Sequence, residues 1–255
     1  MRAIRIIAFQ EWRSLFLTPL AWSLLGMLFM ITGYMFGASV LDYQKRLMRY
    51  ESFGVVEDLS LTDWTVVPTL GNGAVLLLLI IPLLTMRLFA EEKRRGSWPA
   101  LASSPLTPMT IILGKYLGLL LFLLVAVGML AIPPLTLLFF GHPDIGQILA
   151  GLLGVFLVGA AFGAVGLGAS SATDNPIVAA VAGFGVLLLL WLLSWMGGVG
   201  ESALFQVLAY LSPMNHYPHF LSGVIRSGDL AYFFLLSATG LLFARQRLVA
   251  ARLEG

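Results

Sequence analysis

Long apolar runs broken by short polar and charged stretches set the pattern of this chain. A helix needs about 20 apolar residues to cross a hydrocarbon core roughly 30 Å thick. Six blocks meet that requirement: residues 20–41, 72–90, 108–140, 148–173, 176–198 and 230–247. The second and the last are short in strictly apolar residues, which end at Met86 and Ala244. The second reaches its length by continuing through Arg87 to Ala90, the arginine snorkelling to the interface. Three blocks open on the same signature, Thr18-Pro19, Thr107-Pro108 and Asn175-Pro176. A capping side chain followed by proline at the first helical position is a helix start, because proline has no N–H to leave unpaired there. Pro133-Pro134 is expected to kink or end the third helix. The first apolar stretch, about 22 residues, exceeds the 7–15 of a signal peptide and reads as a retained anchor. The fold class is an all-α integral membrane protein with six spans, forming one transmembrane domain over residues 1–255.

The segments between the blocks carry their own patterns. In residues 1–17, Ile4, Ala8, Trp12 and Leu15 fall within an arc of roughly 80° at helical spacing, with Arg2, Arg5 and Arg13 on the neighbouring arc. Glu11 and Phe9 depart from that pattern. An interfacial helix with its arginines at the headgroups is expected. Between the second and third spans, Glu91, Glu92, Lys93, Arg94 and Arg95 form a charged turn that Gly96 can end as a helix cap, with Ser97, Trp98 and Leu101 after it. The stretch 199–229 is apolar but interrupted, and includes Phe205, Tyr210, Pro213 and Phe220. It is too short for a seventh span and reads as two short helices dipping into the outer leaflet. Gly159 with Gly163, and Ala160, Ala164 and Gly168, have the small-xxx-small spacing of close helix packing, within the chain or across a dimer.

Composition changes the picture by fixing the solvent. Apolar residues make up 59% of the 255 and charged residues 11%, against roughly 25% charged in soluble domains; the solvent of these surfaces is lipid. Lysine and arginine then orient the chain. With the N-terminus cytoplasmic, eleven of the fifteen basic residues fall inside and four (Lys45, Arg46, Arg49 and Arg226) outside, which puts both termini in the cytoplasm. Eight of the thirteen acidic residues fall outside in the same scheme. The net charge of +2, with no basic stripe, gives no sign of nucleic acid.

Several chemistries are excluded. There are no cysteines, hence no disulfide, iron–sulfur or thiol chemistry. Ion-coupled carriers need ionisable groups at membrane depth, and none lies in the central part of a span. No H-E-x-x-H or G-x-S-x-G motif occurs. Gly114-Lys115 resembles the end of a phosphate-binding loop, but Met109 and Tyr116 stand where glycine and Ser or Thr are required. His216 and His219 are spaced like metal ligands, yet no carboxylate close in sequence completes a site, so they read as interfacial residues of a turn-rich loop.

The run Glu91-Glu92-Lys93-Arg94-Arg95-Gly96-Ser97, then Leu101 and Ser104-Pro105, then Leu113-Gly114-Lys115-Tyr116, resembles the cytoplasmic loop of ABC-2 type permeases. Ser212-Pro213, Phe220-Leu221, Gly223-Val224-Ile225 and Asp229-Leu230 are similar to the last loop and sixth span of the gliding-motility (GldF-like) and nitrous-oxide-locus permeases. The resemblance covers nearly the whole chain. It implies a permease subunit of the bacterial inner (plasma) membrane that pairs with a second copy or homologue and with a separate ATPase chain, and in some members with an accessory periplasmic protein. It further implies that residues 91–97 are the coupling helix received by the ATPase, that residues 1–17 are the connecting helix, and that the apolar outer loop is re-entrant. ATP and magnesium would belong to the ATPase, with no cofactor in this chain. Trp98-Pro99 departs from the family pattern and should shorten the coupling helix. The rival reading is a non-transporting platform or lipid-handling subunit, which needs no defined helix at residues 87–97.

The charge asymmetry generates the first prediction. In intact cells an impermeant thiol reagent is expected to label Ser60→Cys and to leave Ser97→Cys unlabelled; the reverse pattern would invert the topology.

Overall fold

All six apolar blocks are helical in a computed structural model that describes residues 2–52, 60–96, 106–198 and 203–253. In chain order the helices are α1 (Arg2–Phe16), α2 (Pro19–Ser52), α3 (Leu61–Thr85), the short α4 (Ala90–Arg94), α5 (Pro108–Thr136), α6 (Ile145–Ser171), α7 (Pro176–Leu192), α8 (Ala203–Tyr210), α9 (Pro213–Leu221) and α10 (Ser227–Leu253). Single 3-10 stretches, Leu137–Phe139 and Leu193–Gly198, extend α5 and α7. No strand occurs among the described residues. The all-α class with six membrane-spanning helices (α2, α3, α5, α6, α7, α10) is therefore the observed one.

The arrangement is built around α6, which packs against α3, α5, α7, α9 and α10. Its small residues make this possible. A Cβ on Gly159 would lie 2.7 Å from Leu123 of α5, one on Gly163 2.6 Å from Leu119, one on Gly151 2.7 Å from Leu70 of α3, and one on Gly154 2.6 Å from Phe220 of α9. On the remaining side Gly240 of α10 comes so close that a Cβ there would be 2.6 Å from the Ala164 carbonyl group. The small-xxx-small stripe thus serves contacts within the chain. α2, α7 and α10 lie at the periphery and expose large apolar side chains such as Met30, Val181 and Leu235.

Helix boundaries differ from the apolar blocks most clearly at the end of α2 and at both ends of α3 and α10. α2 runs to Ser52, eleven residues past Leu41; at 1.5 Å per residue its 34 residues span roughly 51 Å, more than the hydrocarbon needs, so its polar end projects beyond it. There Asp42 and Arg46 form an i,i+4 pair at 2.7 Å, and the Arg46 guanidinium sits 4.2 Å from the Trp64 ring centre. α3 begins at Leu61 instead of 72 because Thr65 and Thr69 donate their hydroxyl protons to the carbonyls of Leu61 and Thr65, which hides polar groups inside the helix. At its other end α3 stops at Thr85, and residues 86–89 form a tight turn in place of a helical run to Ala90. α10 starts at Ser227 and continues to Leu253, past 247.

Two of the three cap–proline starts behave as expected. Thr107 accepts from the Thr110 N–H, and Asn175 from the Ile177 N–H. Thr18 instead donates its hydroxyl proton to the Leu15 carbonyl, tying the entry of α2 to the end of α1. Pro133-Pro134 lie inside the last turn of α5, which ends at Thr136 and passes into the 3-10 turn at Leu137.

The close approach of α10 to α6 is testable against a matched control. Alanine favours a helix over glycine by about 0.5–1 kcal/mol wherever space allows. Gly185 of α7 has open space around it. In detergent, Gly185→Ala is expected to leave the thermal midpoint unchanged or raise it. Gly240→Ala is expected to lower stability by roughly 1–3 kcal/mol through overpacking.

Candidate functional site

The charged run folds onto the end of the helix bundle. After α3 the chain turns, and Leu88, Phe89 and Ala90 are fully buried. The first N–H groups of a helix lack partners of their own. Here the Phe89 and Ala90 N–H groups both donate to the Ser170 hydroxyl of α6 at 3.1 Å, and that hydroxyl in turn lies 3.3 Å from the Met86 carbonyl. Charge order follows the helix dipole: Glu91 and Glu92 occupy the first turn of α4, Lys93 and Arg94 the last. Gly96 then stops it with φ of 71°, a backbone region open to glycine.

The side chains of α4 divide into two sets. Glu92 and Lys93 face the bundle. Lys93 donates to the Ser171 carbonyl at 2.9 Å, where the C-terminal end of α6 favours a cation, and lies 3.3 Å from Asp174. Glu92 meets Lys115 of α5 at 2.7 Å, and the same ammonium group reaches Glu11 of α1 at 2.9 Å. Lys115 keeps only 3% of its side chain exposed. Glu91 is clamped by Arg87 at 2.6 Å and by Arg95 on its other oxygen. Arg94, Arg95 and Gly96 are exposed and form the outer tip. Ser97, with Trp98, Leu101, Ser104 and Pro105, lies outside the described residues.

α1 reaches this cluster because α5 presents glycine to it. A Cβ on Gly114 would sit 2.6 Å from Ile7, and one on Gly118 2.7 Å from Glu11. The Gly114-Lys115 pair therefore has a packing reason: the glycine admits α1 and the lysine binds it. Glu11, which departs from the apolar pattern of α1, lies on the packed face and supplies the carboxylate that Lys115 needs. Trp12 is half-buried between Phe9 and Phe16, at ring separations of 5.7 and 5.4 Å, while Arg2, Arg5 and Arg13 are exposed.

At the opposite end of the bundle, the apolar loop forms α8 and α9. Asp229, buried in the first turn of α10, takes His216 Nδ1 on one carboxylate oxygen at 2.7 Å and His219 Nδ1 on the other at 2.9 Å. The carboxylate missing near the two histidines in sequence is thus supplied ten residues on. It does not make a metal centre: His216 Nε2 is spent on the Tyr210 carbonyl at 2.9 Å, and no group of three such ligands occurs among the described residues. Tyr210 and Tyr232 pack on the His216 ring, edge-on and stacked, and Tyr232 donates to the Leu211 carbonyl. Phe220 is buried over Gly154, Pro213 is buried and Phe205 half-buried. These residues make a structural corner.

A protein-family model described as ABC-2 family transporter protein matches residues 6–245. The chain belongs to the ABC-2 transporter family. Within it, this chain is a multi-pass membrane subunit and not a catalytic domain. As an ABC-2 permease it is the kind of subunit that associates with an ATP-binding-cassette ATPase and often dimerises. A search of curated proteins returned no match.

Sequence reasoning missed Glu11, Lys115, Ser170 and Ser171. Two signals pointed to the first two, an acidic residue on the apolar face of α1 and a lysine two turns inside an apolar span beginning with proline; nothing in the sequence marked Ser170 and Ser171. Removing Lys115 leaves two carboxylates facing each other. Lys115→Ala is expected to cost about 3 kcal/mol, the low end for a broken buried pair, since Glu92 keeps 32% of its side chain in solvent. Adding Glu11→Gln and Glu92→Gln to Lys115→Met should recover most of that loss in thermal unfolding.

Proposed function

We propose that this ABC-2 permease is the translocation half of an exporter, driven by a separate ATPase chain that docks on α4. The observation that carries this reading is the division of α4: an exposed tip at Arg94, Arg95 and Gly96 on a base tied to α5, to α6 and to Asp174 in the turn after α6. A force-receiving element needs such a base, and a solvated turn would not. On this reading Glu91 to Ser97 form the coupling element, with Glu92 and Lys93 acting inward and Arg94 and Arg95 meeting the ATPase. α1 is the connecting helix, lying at the membrane surface with Arg2, Arg5, Trp12 and Arg13, and α8 and α9 dip into the outer leaflet around Phe205, Tyr210, Pro213 and Phe220. ATP and magnesium are held by the ATPase.

The finer assignments follow the resemblance set out above. The subunit sits in a bacterial inner membrane with both termini cytoplasmic, pairs with a second copy or a homologue, and falls in the gliding-motility and nitrous-oxide-locus group, some of whose members work with an accessory periplasmic protein. The whole chain, residues 1–255, acts as one permease domain. Few charges line its spans, which suits an amphipathic or lipid-linked cargo better than a small ion.

The test uses the ATPase encoded in the neighbouring reading frame. Arg94→Glu with Arg95→Glu is expected to lower its co-purification with the membrane-inserted chain by more than about tenfold, as loss of docked charges does. Lys45→Ala with Arg46→Ala, on the opposite end, should leave capture intact. Glu92→Gln should leave capture intact and lower transport per ATP hydrolysed. Equal indifference to all three would make α4 a solvated turn and favour the platform reading.

A further inference from the structure

A groove of about 1110 Å³ runs between α1 and α5 on the side away from the Lys115 cluster. Its floor is Leu117, Leu121 and Leu124 of α5, all exposed, and its rim is Arg2, Arg5 and Arg13 of α1. The three arginines fall within roughly 80° of one another at 100° per residue and share one side of α1; Arg2 and Arg5 are about one turn apart, and Arg13 lies about 17 Å further along the axis from Arg2. Every ionisable residue lining the groove is an arginine. The one acidic residue of α1, Glu11, is turned to the other side by Lys115. The apolar floor belongs to a membrane span and faces hydrocarbon; Arg2 and Arg5 stand near the start of that span, where Ile4 and Ile7 meet Gly114, and Arg13 stands further along, past the contact of Glu11 with Gly118. A site apolar along the span and cationic at the surface matches a molecule with a long chain and an anionic head. Its volume lies just above the roughly 300–1,000 Å³ of small-molecule sites, room for a chain as well as a headgroup.

We propose that this groove binds an anionic phospholipid, its phosphate held by Arg2 and Arg5 with Arg13 adding positive charge further along the groove, and an acyl chain lying along Leu117, Leu121 and Leu124. Guanidinium groups suit this task because their paired N–H donors match phosphate oxygens. A second copy of the chain is disfavoured here, since a symmetric contact through this face would bring its arginines against each other. A soluble partner cannot reach a floor that faces hydrocarbon. The bound lipid would clamp the outer edge of α1 against α5, opposite the Lys115 contact.

The experiment is native mass spectrometry of the full chain in non-ionic detergent, without ATPase, so its outcome is separate from that of the docking test. Phosphatidylglycerol and phosphatidylcholine with matched acyl chains are added in turn. The chain is expected to retain phosphatidylglycerol in preference to phosphatidylcholine. Each arginine near an anionic group contributes roughly fivefold, so Arg2→Gln, Arg5→Gln and Arg13→Gln together should weaken retention by about a hundredfold. Because these side chains are exposed, the triple variant should unfold at the parent temperature in lipid-free detergent. Leu121→Trp, which fills the floor and leaves the arginines, should also lower retention, and it decides the matter if the triple variant unfolds. Arg245→Gln with Arg247→Gln on α10 should retain lipid like the parent. Equal binding of both lipids, unchanged retention in a folded triple variant together with Leu121→Trp, or loss of a chain dimer in place of lipid would each overturn the site.

Discussion

Helices in a membrane gain nothing from apolar contact as such, because the lipid they leave is as apolar as the neighbour they meet. Their association has to come from close packing and polar contacts, and α6 supplies the first. Its glycines and alanines let α3, α5, α9 and α10 approach until a single added methyl group would collide with them. Dispersion contacts fall off steeply with any radial gap, so this closeness replaces the hydrophobic drive of a soluble core. The peripheral helices α2, α7 and α10 keep broad faces of exposed apolar residues. Those faces are satisfied by lipid or by another permease surface, and the bundle does not depend on them.

Polar contacts are the second source, and Lys115 makes a deeply buried one. An ammonium group inside an apolar helix is costly unless it is paired and hydrogen-bonded. Here it is held by two carboxylates from helices far apart in sequence, Glu11 of α1 and Glu92 of α4. One cation between two anions makes both partners necessary to each other: without the lysine the carboxylates repel, and without either carboxylate the remaining pair loses a hydrogen bond in a poorly solvated place. The consequence for α1 is that it is fixed to the bundle. Gly114 and Gly118 let it close on α5, and Lys115 fixes its register there.

Much of this architecture was legible from the chain, and the gaps have identifiable causes. The starts at Thr107 and Asn175 could be read because the cap and the proline act locally. The first turns of α3 could not, because hydropathy counts Thr62, Thr65 and Thr69 as polar while in the helix Thr65 and Thr69 satisfy themselves on the preceding turn. The extension of α2 past Leu41 was hidden by charges that a water-exposed helix tolerates. Of the charged run, order and cap were readable, since the Glu-to-Arg polarity and Gly96 follow from the helix dipole and from backbone sterics. The inward turn of Glu92 and Lys93 was not, because their partners at Lys115 and Ser171 are brought near only by the tertiary fold. Glu11 and Asp229 show the same limit. Glu11 looked like an exception in its own segment, and both are keystones of contacts with another.

These contacts also decide what α4 is. Five residues cannot form a stable helix alone, because nucleating one turn fixes three residues for a single hydrogen bond. Its shape is imposed by the Ser170 hydroxyl at its start, by Lys93 on the Ser171 carbonyl and by Glu92 on Lys115. The position of α4 is consequently a function of where the ends of α5 and α6 stand relative to each other. Linkage makes this reciprocal: any ligand that holds α4 in one place must favour the matching arrangement of α5 and α6, and any change in the bundle must alter the affinity of that ligand. The route need not pass through the spans as a line of side chains. It requires two outlets from α4 that are stiff compared with the exposed tip. The paired N–H groups on Ser170 give one into α6, and the buried ammonium gives the other into α5 and through it to α1. An element with a single attachment would pivot about it, whereas attachment to both leaves α4 no motion of its own.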